Sequence, residues 1–106
     1  AMAAISAGEA VRMMNNGALV IDVRSKEEFA SGHIGEARNL AVGELEAQAD
    51  TLKKWRDKPI IAYCESGARS AAAVSALSKL GFSHVFNLAG GIQQWRRDNM
   101  PVVKGS

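Results

Sequence analysis

Hydrophobic and polar positions follow two rhythms along this chain. Short runs of strand formers lie at 18–23 (ALVIDV), 60–64 (IIAYC) and 84–88 (HVFNL). The first two are almost continuously apolar, as in strands covered on both faces. Between them the spacing becomes helical. Ser6 and Glu9 have capping-box spacing and open a helix over 9–16, with Ala10, Val11 and Met14 on one face and Gly17 closing it. Ser25 and Glu28 repeat the device ahead of a short helix, KEEFAS. The stretch 32–41 carries two glycines and reads as a turn followed by a short edge strand. Residues 43–55 read as a helix with Leu45, Ala49 and Leu52 aligned, broken by Asp57, Lys58 and Pro59. Residues 68–80 place Val74, Leu77 and Leu80 at core spacing before Gly81. A last short helix is expected in 90–99, ahead of Pro101. This alternation of strands and helices predicts an α/β fold with a parallel sheet and helices on both faces.

Composition narrows the classes. A chain of 106 residues is long enough for one domain with a core. A net charge of +2 is too small to argue for nucleic acid as a partner. Apolar stretches reach about five residues, far short of the roughly 20 that span a bilayer, so no membrane segment is expected in this sequence. The single cysteine rules out an internal disulfide. No basic-then-apolar leader opens the chain. Residues 1–4 are read as a vector-derived or flexible start, residues 5–103 as the domain and 104–106 as a tail. A cytoplasmic location is expected, and an anchor or leader removed from the natural N-terminus is compatible with that start.

The placement of the cysteine gives the site. Cys64 ends the strand IIAYC and is followed by the stretch Glu65, Ser66, Gly67, Ala68, Arg69, Ser70, which bends into a helix. In α/β sheets, sites gather at the carboxyl ends of strands. The first N–H groups of a helix have no partner within it, and the helix dipole adds positive potential there. Gly67 lets the backbone turn tightly. A thiol in such a cradle ionises below its ordinary range and is a nucleophile without an adjacent base. The competing reading is a buried cysteine that serves only as a small hydrophobe.

These residues resemble a known family. CESGARS is similar to the active-site loop of the rhodanese (sulfurtransferase) domain. DVRSKEEFASGHIGEARNL is similar to that family's D-V-R … E-F … G-H-I-x-G-A-x-N segment, and LAGGIQQW to its L-x-G-G-x-x-x-W close. The resemblance spans nearly all of 5–103. It implies a five-stranded parallel sheet flanked by helices and an enzyme of the thiosulfate:cyanide sulfurtransferase type. Cys64 would accept a sulfane sulfur from thiosulfate or a persulfide, carry it as a persulfide, and pass it to a thiol, cyanide or a protein sulfur carrier. No cofactor and no metal are implied. With one cysteine, the acceptor must come from outside the chain.

Other residues divide between chemistry and architecture. Asp22 and Arg24 end a strand at the same edge as Cys64 and are expected to support the site, with Arg24 pairing to Asp22 or Glu28. Arg69 either attracts substrate or ties the loop down by an ion pair. Ser70 is expected to hydrogen-bond within the loop. His33 is expected to be structural, since an ionised thiol needs no base, and His84 to lie at the surface. Two distant histidines and one cysteine do not form a metal site. The basic stretch 53–58 around Trp55 is read as a solvated helix end. Glu65 is an acid beside the nucleophile. A bare carboxylate about 6 Å from a dianion, screened by solvent, would weaken thiosulfate binding about fivefold per unit charge; a carboxylate paired with a neighbouring cation would not.

Two rival functions remain. A phosphatase or arsenate reductase uses a similar cradle, but with C-x5-R spacing that admits a tetrahedral oxyanion. Here four residues separate Cys64 from Arg69, which leaves a smaller cradle. A non-catalytic binding module of the same fold is the second rival; the presence of Cys64 argues against it.

Overall fold

A computed structural model describes residues 3–106. Five parallel strands form one sheet: β1 (Ala3–Ile5), β2 (Leu19–Asp22), β3 (Arg38–Asn39), β4 (Ile60–Tyr63) and β5 (Val85–Leu88), in the order β1-β5-β4-β2-β3. Four α-helices lie in the connections, α1 (Ala7–Asn15), α2 (Lys26–Ser31), α3 (Leu45–Gln48) and α4 (Ala68–Lys79), and α5 (Gly91–Arg97) follows β5. The parallel sheet and two-sided helical cover match the expected architecture.

The strands of the sheet centre alternate their side chains between two cores. Leu19, Ile21, Ile60, Ala62 and Val85 face α3 and α4, where Leu45, Val74 and Leu77 cover them. Val20, Ile61, Tyr63 and Leu88 face the other way, against Ala10, Ile92 and Trp95. Burial on both sides explains why β2 and β4 are apolar throughout rather than alternating. Both capping boxes form. Ser6 accepts from the Glu9 N–H, and Ser25 from the Glu28 N–H. Gly17 and Gly81 follow their helices at φ 92° and 97°, where a side chain would be strained.

Two elements differ from expectation. Ala3 and Ala4, set aside as part of a flexible start, belong to β1, which pairs along β5. Three small or apolar residues with no flanking turn signal carry little strand pattern of their own, and pairing makes the strand. The helix expected over 43–55 is instead a 3₁₀ turn (Val42–Glu44), the single α turn α3, and a 3₁₀ stretch (Ala49–Trp55). Ala49, Leu52 and Trp55 are spaced by three. A three-residue turn therefore lines all of them up on the α4-side core, where an α-helix would rotate Trp55 away. Leu80 packs on the core only in part.

Candidate active site

Cys64 follows the last residue of β4, in the middle of the sheet, and packs with the α4-side core. The chain turns through Glu65 and Ser66 to Gly67, at φ 117°, and enters α4 at Ala68. Ala68, Arg69 and Ser70 form the first helical turn, at the start expected for the helix over 68–80. No side chain caps this helix in the usual way. The cysteine sulfur takes that role. Cys64 Sγ accepts from the Gly67 N–H at 3.1 Å and the Ser70 N–H at 3.3 Å, while Ser70 Oγ lies 3.3 Å away. Two of the N–H groups at the helix start are thus directed at sulfur.

Electrostatics follow from this geometry. Burial pushes the Cys64 thiol up and is the largest single influence. The Ser70 hydroxyl and the N–H groups of Ser70, Gly67 and Ser66 together outweigh it, so the thiol sits below its ordinary value. Cys64 is 1% exposed.

The start of α5 holds the loop from behind. The Ile92 N–H donates to the Cys64 carbonyl at 2.9 Å, and the Gln93 N–H to the Glu65 carbonyl at 3.1 Å. Gly91, at φ 61°, permits the approach; a Cβ there would collide with both carbonyls. Asn87, on β5, holds the loop from the side. Its Oδ1 accepts from Ser70 Oγ at 2.6 Å, and its Nδ2 donates to the Gly67 carbonyl at 3.2 Å. Sequence reasoning missed Asn87. Its one signal is a polar amide inside a strand, where asparagine is uncommon.

Asp22 and Arg24 form a buried clasp beneath the loop. Arg24 Nη2 lies 2.7 Å from Asp22 Oδ2, and the Arg24 N–H and Nε also donate to Asp22. Arg24 further donates to the Gly32 carbonyl at 2.7 Å and reaches Glu65 Oε1 at 3.4 Å. Asn39 donates to the carbonyls of Asp22 and Arg24 and ties the edge strand to the clasp. Tyr63 OH accepts from the Ile34 N–H at 3.0 Å, and burial with the adjacent Asp22 pushes its phenol up. Arg24 therefore pairs with Asp22, while Glu28 pairs with Arg69, Nη1 to Oε1 at 2.8 Å. Half-exposed Glu65 reaches Arg24 at 3.4 Å, but that guanidinium is already paired with Asp22, so the contact offsets the Glu65 charge only in part.

The histidines stand apart from the sulfur. His33 is buried, stacks on Phe29 at 3.6 Å between centroids, and bonds the Phe29 carbonyl through Nδ1. His84 is exposed, and its Nδ1 meets Ser83 Oγ. Arg38 and Lys54 flank the Trp55 ring at 4.8 and 5.0 Å. A groove of about 430 Å³ lies there, beside the N-terminal ends of β2 and β3, at the end of the sheet opposite Cys64. Among the described residues no helix is long and apolar enough to cross a membrane.

A parallel sheet whose central strand delivers a cysteine into a ring of helix-start N–H groups is the arrangement of a rhodanese domain, and the chain belongs to the rhodanese-like domain family, whose model matches residues 6–98. It is 39% identical over 103 residues to the uncharacterized protein YibN of Escherichia coli, covering 95% of this chain and 72% of that protein. It is 37% identical over 95 residues to the thiosulfate sulfurtransferase GlpE of Ectopseudomonas mendocina, covering 87% of this chain and 83% of that one. The crystal structure of a rhodanese-related protein from Thermoplasma volcanium superposes with a TM-score of 0.85 at 36% identity, covering 95% of this chain and 97% of the other.

Proposed function

We propose that this protein is a sulfurtransferase that moves a sulfane sulfur through a persulfide on Cys64. The observation that carries the reading is the convergence of the Gly67 and Ser70 N–H groups on Cys64 Sγ, which makes the thiolate more accessible than that of a free cysteine. That thiolate attacks the outer sulfur of thiosulfate or of an organic persulfide. The donor's S–S bond breaks, and its electron pair leaves with sulfite or a thiolate. The sulfur remains on Cys64 as Cys–S–S⁻. A thiolate or cyanide then attacks the outer sulfur, the new S–S bond breaks, and its electron pair returns to Cys64 Sγ. No net oxidant is consumed in either step. The helix-start N–H groups stabilise negative charge throughout. The name of the GlpE relative supports thiosulfate as one donor. The Glu65–Arg24 pair reduces the local repulsion of a dianion, and a less negative persulfide meets less of it still.

The phosphate-handling alternative finds no support in the loop. Its arginine is committed to Glu28 through both terminal nitrogens. The test is intact mass after incubation with thiosulfate. The protein should gain one sulfur, dithiothreitol should remove it, and Cys64→Ser should neither gain sulfur nor transfer it to cyanide. Full transfer by Cys64→Ser would overturn the reading.

A further inference from the structure

Ser70 Oγ has one proton and three acceptors around it. Asn87 Oδ1 lies at 2.6 Å, the Gly67 carbonyl at 3.2 Å and Cys64 Sγ at 3.3 Å. The short contact identifies the acceptor that holds the proton. The amide orientation is fixed independently: its Nδ2 donates to the Gly67 carbonyl, and the flipped amide would set two oxygens against each other there. The groups thus form a closed ring. The Cys64 thiol donates to Ser70 Oγ, Ser70 to Asn87, Asn87 to the Gly67 carbonyl, and the Gly67 N–H returns to sulfur.

We propose that Asn87 is a positioning residue that acts on Cys64 through Ser70, holding the serine proton away from sulfur until the sulfur carries charge. In the thiol, and in the persulfide whose charge lies on the outer sulfur, the Ser70 hydroxyl faces Asn87. When Cys64 becomes a thiolate, or becomes one again as the acceptor breaks the S–S bond, the hydroxyl turns to Sγ and Asn87 Oδ1 loses its donor. Asn87 therefore makes the thiolate less stable than the cradle alone would, and leaves it a stronger nucleophile. The persulfide part of this cycle rests on the function proposed above; the competition for one proton does not.

The test is the pH dependence of iodoacetamide alkylation of the reduced protein, followed by intact mass, for wild type, Asn87→Ala, Ser70→Ala and the double variant. Asn87→Ala frees the serine proton for sulfur and should lower the alkylation midpoint by roughly half a pH unit, the share expected of one neutral hydrogen bond. Ser70→Ala should raise the midpoint. In the Ser70→Ala background, Asn87→Ala should no longer lower it. A merely structural Asn87 predicts the opposite sign, because a loosened loop withdraws N–H groups from sulfur. Asn87→Val suits a strand and repeats the measurement if the alanine variant does not fold. A midpoint that rises, stays put, or falls equally without Ser70 overturns the proposal. Sulfur loading is measured on the same samples: absence of any persulfide would overturn the proposed function and leave the midpoints to decide Asn87.

Discussion

Arg69 and Glu28 meet through two parallel contacts, Nη1 to Oε1 at 2.8 Å and Nη2 to Oε2 at 2.9 Å, and so fasten the first turn of α4 to the first turn of α2. Hydrogen bonding from Arg69, with the Ser25 cap behind it, draws the Glu28 carboxyl from an ordinary 4.5 down to about 2. A carboxyl depressed by folding stabilises above its unfolded value and loses that contribution as pH falls to its folded value. Both partners are more than a third exposed or close to it, so screening limits the contribution to about 0.5 kcal/mol. Urea midpoints of wild type and Glu28→Gln should differ by that amount near neutral pH and converge between about pH 4.5 and pH 2. A gap that persists at pH 2 would refute the assignment.

The Asp22–Arg24 clasp should be far more costly to break. Asp22→Ala leaves a 2%-exposed guanidinium without its main partner. The expected loss is about 3–5 kcal/mol in urea unfolding. Arg24→Met removes the charge but leaves Asp22 buried, and should also destabilise strongly. Loss below 1 kcal/mol in both would mean that solvent reaches the clasp.

Gly91→Ala combines a left-handed backbone with a collision against the carbonyls of Cys64 and Glu65. The backbone alone costs about 1–2 kcal/mol, and the collision adds to it. Because those carbonyls belong to the cysteine loop, the variant should both melt lower and shift the alkylation midpoint of Cys64 upward. A lower melting temperature with an unchanged midpoint would show that the loop keeps its shape without α5.

His33 should matter to the fold and not to the thiol. His33→Ala loses the Phe29 stack and the bond to the Phe29 carbonyl. Thermal melting should record that loss. The alkylation midpoint of Cys64 should remain below the roughly 8.5 of a free thiol and unmoved by the substitution. An upward move would assign His33 a part in ionising the sulfur.

Glu65→Gln removes a carboxylate that Arg24, shared with Asp22, offsets in part. The KM for thiosulfate should fall by about twofold, less than the fivefold of a bare charge, and the gain should shrink in high salt. A fivefold or larger fall would mean that the Arg24 contact does not neutralise Glu65 in solution.

What the sequence made legible was whatever rests on local pattern. The two capping boxes, the both-faces-apolar strands and the glycine-bearing turn after Cys64 each announce themselves within a few residues. Arg69 did not, because its choice between substrate and Glu28 depends on a residue 41 positions away. Asn87 carries only the weak signal of an amide inside a strand, and its partners Ser70 and Gly67 come into reach only when β5 is laid beside the start of α4. Ser70 is legible as a residue of the helix start that hydrogen-bonds in the loop, but its 3.3 Å approach to sulfur depends on how that turn folds back over Cys64. The irregular helix over 42–55 is not legible locally, because apolar spacings of three and four both occur among Leu45, Ala49 and Leu52, and only Trp55 favours three.

The strand order carries a consequence for the order of assembly during synthesis. Asn87 is flanked in the sheet by Ala4 and Ala62. β1 must therefore wait for β5, the last of the five described strands in chain order, before it has a neighbour. The cysteine loop waits as well, since its carbonyls are gripped by Ile92 and Gln93. A nascent chain that ends before these residues emerge has the cysteine but not its clamp, and should carry a thiol of ordinary reactivity. The contacts that shape the surroundings of Cys64 are therefore complete only once β5 and α5 have been made.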